Sequence, residues 1–147
     1  MKRAWWLLAG AGLLALTGCS SGASADTVDA VLSEWSVTPT PTKVSAGNVT
    51  FNAHNEGGEN HELVIVRADS PDSLPVDENG KVIEDELSES NLIGEIEEFE
   101  AGTTESASFD LTAGTYVIFC NIAEDQSDGS VESHFEEGMH AVITVES

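Results

Sequence analysis

The sequence predicts an all-β domain: a Greek-key β-sandwich of short strands, interrupted by one long acidic excursion. Three observations carry this. Apolar and polar residues alternate at a period of two, not at helical spacing. Clusters of Gly, Pro, Asn and Thr separate the alternating runs at short intervals. One segment, 69–100, breaks the pattern, with 12 acidic residues against a single base, Lys81. No internal repeat is visible.

The elements follow in order. Residues 28–37 (VDAVLSEWSV) alternate and read as one strand, and TPTPT at 38–42 reads as an extended loop. Val49, Phe51 and Ala53 then alternate with Thr50, Asn52 and His54. NEGGEN at 55–60 is a turn. HELVIV at 61–66 is apolar and β-branched, with His61, Leu63 and Ile65 on one face. In the excursion, Pro71, Pro75 and the Asn79-Gly80 pair mark turns. A short helix is expected near 84–91 and a strand over 92–99, and the whole segment reads as solvated surface. Ala107, Phe109 and Leu111 alternate in SASFDL, and Thr112-Ala113-Gly114 turns the chain. Tyr116, Ile118 and Cys120 share a face, with Val117 and Phe119 opposite. Met139, Ala141, Ile143 and Val145 share the inward face of the last strand.

The N-terminus has a different character. Lys2 and Arg3 precede an apolar run over 4–16. That run is shorter than the roughly 20 residues a membrane-spanning helix needs, and it reads as the core of a signal peptide. It closes at Leu16-Thr17-Gly18-Cys19, which resembles the lipobox of bacterial-type lipoproteins. That resemblance implies cleavage before Cys19, a diacylglycerol on its thiol, and a cell membrane anchor on the extracytoplasmic side. Residues 1–18 are then a signal peptide. Residues 19–27 are small and polar, as in a flexible tether, and residues 28–147 form one domain. A core of this size can stand without disulfides. With Cys19 lipidated, Cys120 has no partner, and a lone thiol in an oxidising compartment is a liability that a bound metal removes.

Charge narrows the partners. The formal net charge is −22. Lys2 and Arg3 lie in the leader, so the mature chain has 3 bases against 27 acids, about −24. A nucleic-acid partner is excluded, because phosphate binding needs a basic face. Direct adhesion to anionic headgroups is excluded on the same ground. Acids at this density suit either high salt or a basic docking partner.

The residues that carry chemistry are His61, Cys120, His134 and Met139. One thiolate, two imidazoles and one thioether make a trigonal His₂Cys site with a weak axial Met, the donor set of a mononuclear blue-copper centre. Three of them fall in the closing run GTYVIFCNI (114–122) and SHFEEGMHAVITV (133–145), which reads strand, ligand loop, strand. His61 ends a turn and starts a strand, so it brings an imidazole from a second segment. His54 lies on the polar parity of its strand and His140 opposite Met139, so neither is expected to bind metal.

With these residues in place, the chain from 28 to 147 resembles the cupredoxins, the plastocyanin- and halocyanin-like blue copper proteins. The most specific part is Gly114-Thr115-Tyr116, then Cys120, His134 and Gly138-Met139. The resemblance implies a Greek-key sandwich with one type 1 copper at one end, bound by His61, Cys120, His134 and Met139. It implies a one-electron carrier that meets redox partner proteins and performs no catalysis. Two departures stand out. The segment 121–133 is longer than small cupredoxins usually have between Cys and His, and its extra piece, 123–133, reads as acidic and flexible. Glu62 and Asn121 occupy places where plastocyanins usually carry Asn and a hydroxyl residue.

Two other readings compete: a copper-binding or delivery protein that does not cycle the ion, and a metal-free sandwich for adhesion or scaffolding. Catalysis by copper needs His-rich additional sites. Four His with no His-x-His pair do not build one beside this centre.

Overall fold

A computed structural model describes residues 26–147. The expected signal peptide and Cys19 lie outside the described residues, as does most of the tether. Two mixed sheets make the fold. The first has the order β2-β1-β4-β7, from β1 (Asp26–Ser33), β2 (Ser36–Thr40), β4 (Gly47–Asn55) and β7 (Thr104–Leu111). The second has the order β3-β11-β8-β5-β6, from β3 (Lys43–Ser45), β5 (His61–Arg67), β6 (Leu92–Phe99), β8 (Gly114–Phe119) and β11 (His140–Glu146). A separate hairpin pairs β9 (Ala123–Asp125) with β10 (Val131–Ser133), and one helical turn, α1 (His134–Glu137), follows it.

The alternation in the sequence maps onto the facing surfaces. Val28, Ala30 and Leu32 of β1 and Val49, Phe51 and Ala53 of β4 are fully buried. They meet Leu63, Ile65, Tyr116, Ile118 and Ile143 from the second sheet in one core. The polar parity of β4 faces outward, where His54 lies 3.6 Å from an oxygen of Asp29.

Four details differ from the sequence reading. Residues 28–37 are not one strand: the chain folds back at Glu34-Trp35, and Ser36–Thr40 pairs antiparallel with β1. Ser33 faces Ser36 across this turn, and three of the five residues of the expected TPTPT loop, Thr38 to Thr40, are strand. A period-two pattern survives a tight hairpin, which is why the turn does not interrupt it. Next, β1 starts at Asp26, taking two residues that composition assigns to the tether. Third, the expected helix near 84–91 is a single 3-10 turn at Glu84–Glu86, while the expected strand over 92–99 is β6.

The fourth concerns the excursion, which is more than solvated surface. Leu74 and Val82 are buried against Val64, Val66, Val117 and Phe119, with Leu87 packed on them. These cover the outer face of β5 and β8 with a second apolar cluster. A strand buried on both faces loses its alternation. That is why LVIV at 63–66 and YVIF at 116–119 are continuous apolar runs.

Register brings four chain segments to one end of the sandwich. Phe119, the last residue of β8, faces both Val64 of β5 and His140 of β11. The start of β5, the exit of β8 and the start of β11 are therefore neighbours. The β1–β2 turn joins them, because Glu56 N–H bonds to the Leu32 carbonyl at 2.9 Å.

Candidate metal centre

His61 opens β5 and Cys120 follows β8 directly. His134 begins α1, which hangs from the β9–β10 hairpin. The segment 123–133, expected to be flexible, is therefore a paired hairpin. Ser133 pairs with Ala123, and the His134 N–H bonds to the Ile122 carbonyl at 2.9 Å. The chain leaves and returns at nearly one point, so the long insertion costs His134 none of its reach to Cys120.

The helical turn sets the next ligand candidate. Ser133 caps it by accepting the Glu136 N–H at 3.3 Å. Phe135 anchors it in the outer apolar cluster, edge-on to Phe119 at a centroid separation of 5.3 Å. Gly138 ends it at φ +120, in a region that favours glycine, and an added Cβ would sit 3.3 Å from the Trp35 carbonyl oxygen. That reversal sends Met139 back under the site. Its N–H bonds to the His134 carbonyl at 2.9 Å and its carbonyl accepts the Cys120 N–H at 3.0 Å. Met139 is fully buried in the same core as Cys120.

Three donor atoms converge. His61 Nδ1 and His134 Nδ1 are 3.2 Å apart, and Cys120 Sγ lies 3.3 Å from His134 Nδ1 and 3.9 Å from His61 Nδ1. All three residues are fully buried. Trigonal metal–nitrogen bonds of about 2.0–2.1 Å and a metal–sulfur bond of about 2.3 Å would put such donors roughly 3.5–3.8 Å apart. The triangle matches this within about half an ångström. It is the one group of His, Cys and carboxylate donors able to share an ion among the described residues. Neither His54 nor His140 enters it: His54 pairs outward with Asp29, and the His140 ring packs at a tilt against Phe135.

The electrostatics suit a metal better than an empty thiol. Burial pushes the Cys120 thiol up to about 12, despite the Glu62 N–H that points at its sulfur from 3.5 Å. A thiol there stays protonated until a cation takes the proton's place. Burial, then repulsion from His134, lowers the pKa of His61 and favours the neutral imidazole that a metal needs.

The two departures at Glu62 and Asn121 build a different clamp. Glu62 Oε1 accepts the Asn121 N–H at 3.0 Å. The Asn121 side chain then grips the excursion: Oδ1 accepts the Val82 N–H at 2.7 Å. Nδ2 donates to the Val82 carbonyl at 3.0 Å and to Glu84 Oε1 at 2.7 Å. The residue after Cys120 thus ties the metal loop to the second cluster.

Sequence reasoning missed three neighbours of the site. Trp35 stands edge-on to the His134 ring at 5.1 Å. Glu34 and Glu59 approach the outer ring nitrogens of His61 and His134, at 3.3 and 3.5 Å. All three sit in turns remote in sequence from the rings they touch, with no local pattern to mark them.

No protein-family model and no curated protein matches the sequence. Solved structures do resemble the fold. Auracyanin of the photosynthetic bacterium Roseiflexus castenholzii, solved in its dithionite-reduced form, is 21% identical with a TM-score of 0.59. The match covers 84% of this chain and 98% of that one. Auracyanin A, a blue copper protein of Chloroflexus aurantiacus, is 20% identical with a TM-score of 0.53, covering 82% of this chain and 98% of that one. Reduced rusticyanin is 20% identical with a TM-score of 0.50, covering 84% and 81%. The fold is therefore that of the cupredoxins.

Proposed function

We propose that this cupredoxin-fold chain is a type 1 (blue) copper protein that carries single electrons at a membrane surface. The observation that carries the proposal is the buried triangle of His61 Nδ1, His134 Nδ1 and Cys120 Sγ, with Met139 in the same core. Two imidazoles and a thiolate with a thioether to one side form the donor set that suits both Cu(I) and Cu(II). Bound copper would supply the one-electron couple, through the covalency of its bond to the Cys120 sulfur.

The chain's own contribution is rigidity. His61 is held by β5, Cys120 by β8 and Met139 by the start of β11, and the helical turn under His134 is pinned by Phe135. Donors fixed before metal binding reorganise little when the charge on the ion changes. The sealed site also argues against delivery. A carrier that hands over its ion needs an approach for the receiving ligands, and all three donors are fully buried.

Two finer parts rest on sequence. The Leu16-Thr17-Gly18-Cys19 motif supports a lipid anchor on Cys19 and placement on the extracytoplasmic face of the cell membrane. The surplus of acids supports a redox partner with a basic docking face. The histidines supply no second copper site, so the reading is of a carrier and not an enzyme.

Visible absorption of the copper-loaded protein before and after ascorbate tests the centre. Intense blue absorption that ascorbate bleaches is expected, and a colourless oxidised protein overturns the proposal. Voltammetry separates the carrier from the delivery protein: a reversible one-electron wave is expected, and loss of copper on reduction would favour delivery.

A further inference from the structure

Both imidazoles have a second ring nitrogen, and the fold places a carboxylate beside each. His61 Nε2 lies 3.3 Å from Glu34 Oε1, and His134 Nε2 lies 3.5 Å from Glu59 Oε2. The two histidine side chains are sealed from solvent, whereas Glu34 and Glu59 keep 28% and 40% exposure. Among the described residues, neither Nε2 nor Glu59 Oε2 makes a well-aligned hydrogen bond to any other group. A neutral ring that gives Nδ1 to a metal carries its proton on Nε2. A buried N–H left without an acceptor is destabilising. Each carboxylate is thus the acceptor that the metal-bound ring needs, within a few tenths of an ångström of bonding distance.

One turn aims both acids. Glu34 Oε1 accepts the N–H groups of Gly58 and Glu59, at 2.9 and 3.0 Å. Gly57 leaves room for it, since a Cβ there would collide with the Glu34 carboxylate. The residue whose N–H holds Glu34 on His61 is the one whose side chain reaches His134. Residues 56–60 therefore link the two rings through their outer nitrogens, on the side away from Cys120.

We propose that Glu34 and Glu59 are positioning residues that lock His61 and His134 with Nδ1 inward and, as anionic acceptors, strengthen both imidazoles as metal donors. The proposal deepens the blue-copper reading above and rests on it. A stronger nitrogen donor favours Cu(II) over Cu(I), so the pair holds the reduction potential below that of the same ligands with neutral acceptors. Carboxylates behind metal-bound imidazoles act in this way generally.

The test compares Glu34→Gln and Glu59→Gln with Glu132→Gln. Gln keeps an acceptor oxygen and nearly the same shape but drops the charge. Glu132 is the control: it is another acid of this end, its carboxylate taking the Gln126 side chain at 3.3 Å rather than a ligand ring. Two quantities are read: the copper reduction potential, and the zinc affinity of metal-free protein by chelator competition. Glu34→Gln and Glu59→Gln should stay folded and blue, with raised potentials. A tenfold loss of Cu(II) relative to Cu(I) affinity reads as about 59 mV. Zinc should bind about 10–100-fold more weakly, and Glu132→Gln should change both readings much less. Potentials and zinc affinities that stay at the wild-type value, or move only as far as in Glu132→Gln, overturn the inference. The two failures are distinguishable. A wild type that never turns blue sinks the copper reading, while the zinc series still decides whether the carboxylates support the rings.

Discussion

At the scale of single residues, the site divides into donors and the groups that aim them. Cys120→Ser should abolish the blue absorption, because a hydroxyl cannot supply thiolate covalency; a variant that stays blue would remove Cys120 from the ligand set. Met139 is the sharpest case, since packing and axial ligation both use a buried Met at this position. As an axial ligand it can become Leu with the centre still formed and the potential raised, while Met139→Gln should lower the potential because an oxygen donor favours Cu(II). As packing alone, either change would move the melting temperature and leave voltammetry unaltered. The candidate ligands were legible because their types are scarce: two Cys, two Met and four His in the whole chain. Glu34, Trp35 and Glu59 were not. Acids are abundant here, and nothing in a Glu-rich sequence marks the two that face buried imidazoles.

At the scale of elements, two short pieces decide whether the donors meet. The β9–β10 hairpin turns a long insertion into a closed detour, and α1 turns the chain so that His134 faces the site while Phe135 faces the outer cluster. Removing the Phe135 ring should cost about 3–5 kcal/mol, as large-to-small changes in buried aromatics do. It should also loosen metal binding, because the same turn presents His134. Thermal melts with and without zinc would show both effects, and equal losses in the two forms would argue that the anchor does not reach the metal. Asn121 is the second joint. Asn121→Ala leaves the buried Val82 N–H unpaired, at a cost of about 1–3 kcal/mol. Faster amide exchange over 74–87 is the expected signature, and unchanged exchange there would show that the apolar contacts of Leu74 and Val82 suffice. Neither element was legible in detail. A four-residue helix and three-residue strands are too short for periodicity to register, and tertiary contacts hold them in place.

At the scale of the whole molecule, charge dominates. The described residues hold all 27 acids against Lys43, Arg67 and Lys81. Few of these charges are paired; Lys43 to Glu146, at 3.5 Å, is an exposed contact of little energy. Mutual repulsion should therefore destabilise the compact state in dilute buffer. The Debye length shrinks from about 30 Å at 0.01 M salt to about 3 Å at 1 M, so the melting temperature should climb across that range. A flat profile would mean that the acids are spaced widely enough not to matter. Anchoring belongs to this scale too. Cys19→Ala should release the protein from membranes with its copper spectrum intact, and an unmodified, soluble wild-type N-terminus would refute the anchor.

The class of fold, the candidate ligands and the charge follow from the order of residues alone. Each is written in a local pattern: alternation along a strand, rare donor types in order, an excess of one sign. The apolar runs of β5 and β8 carry no sign of what lies on their second face. It takes the folded chain to show that the acidic excursion covers that face with Leu74 and Val82, that 28–37 is a hairpin, and that 123–133 closes on itself. Only it placed Glu34 and Glu59 behind the histidines. These features depend on register and on contacts between segments far apart in the chain, such as Glu34 with Glu59 or Asn121 with Val82. A pattern along one strand carries no record of which turn another strand will bring beside it.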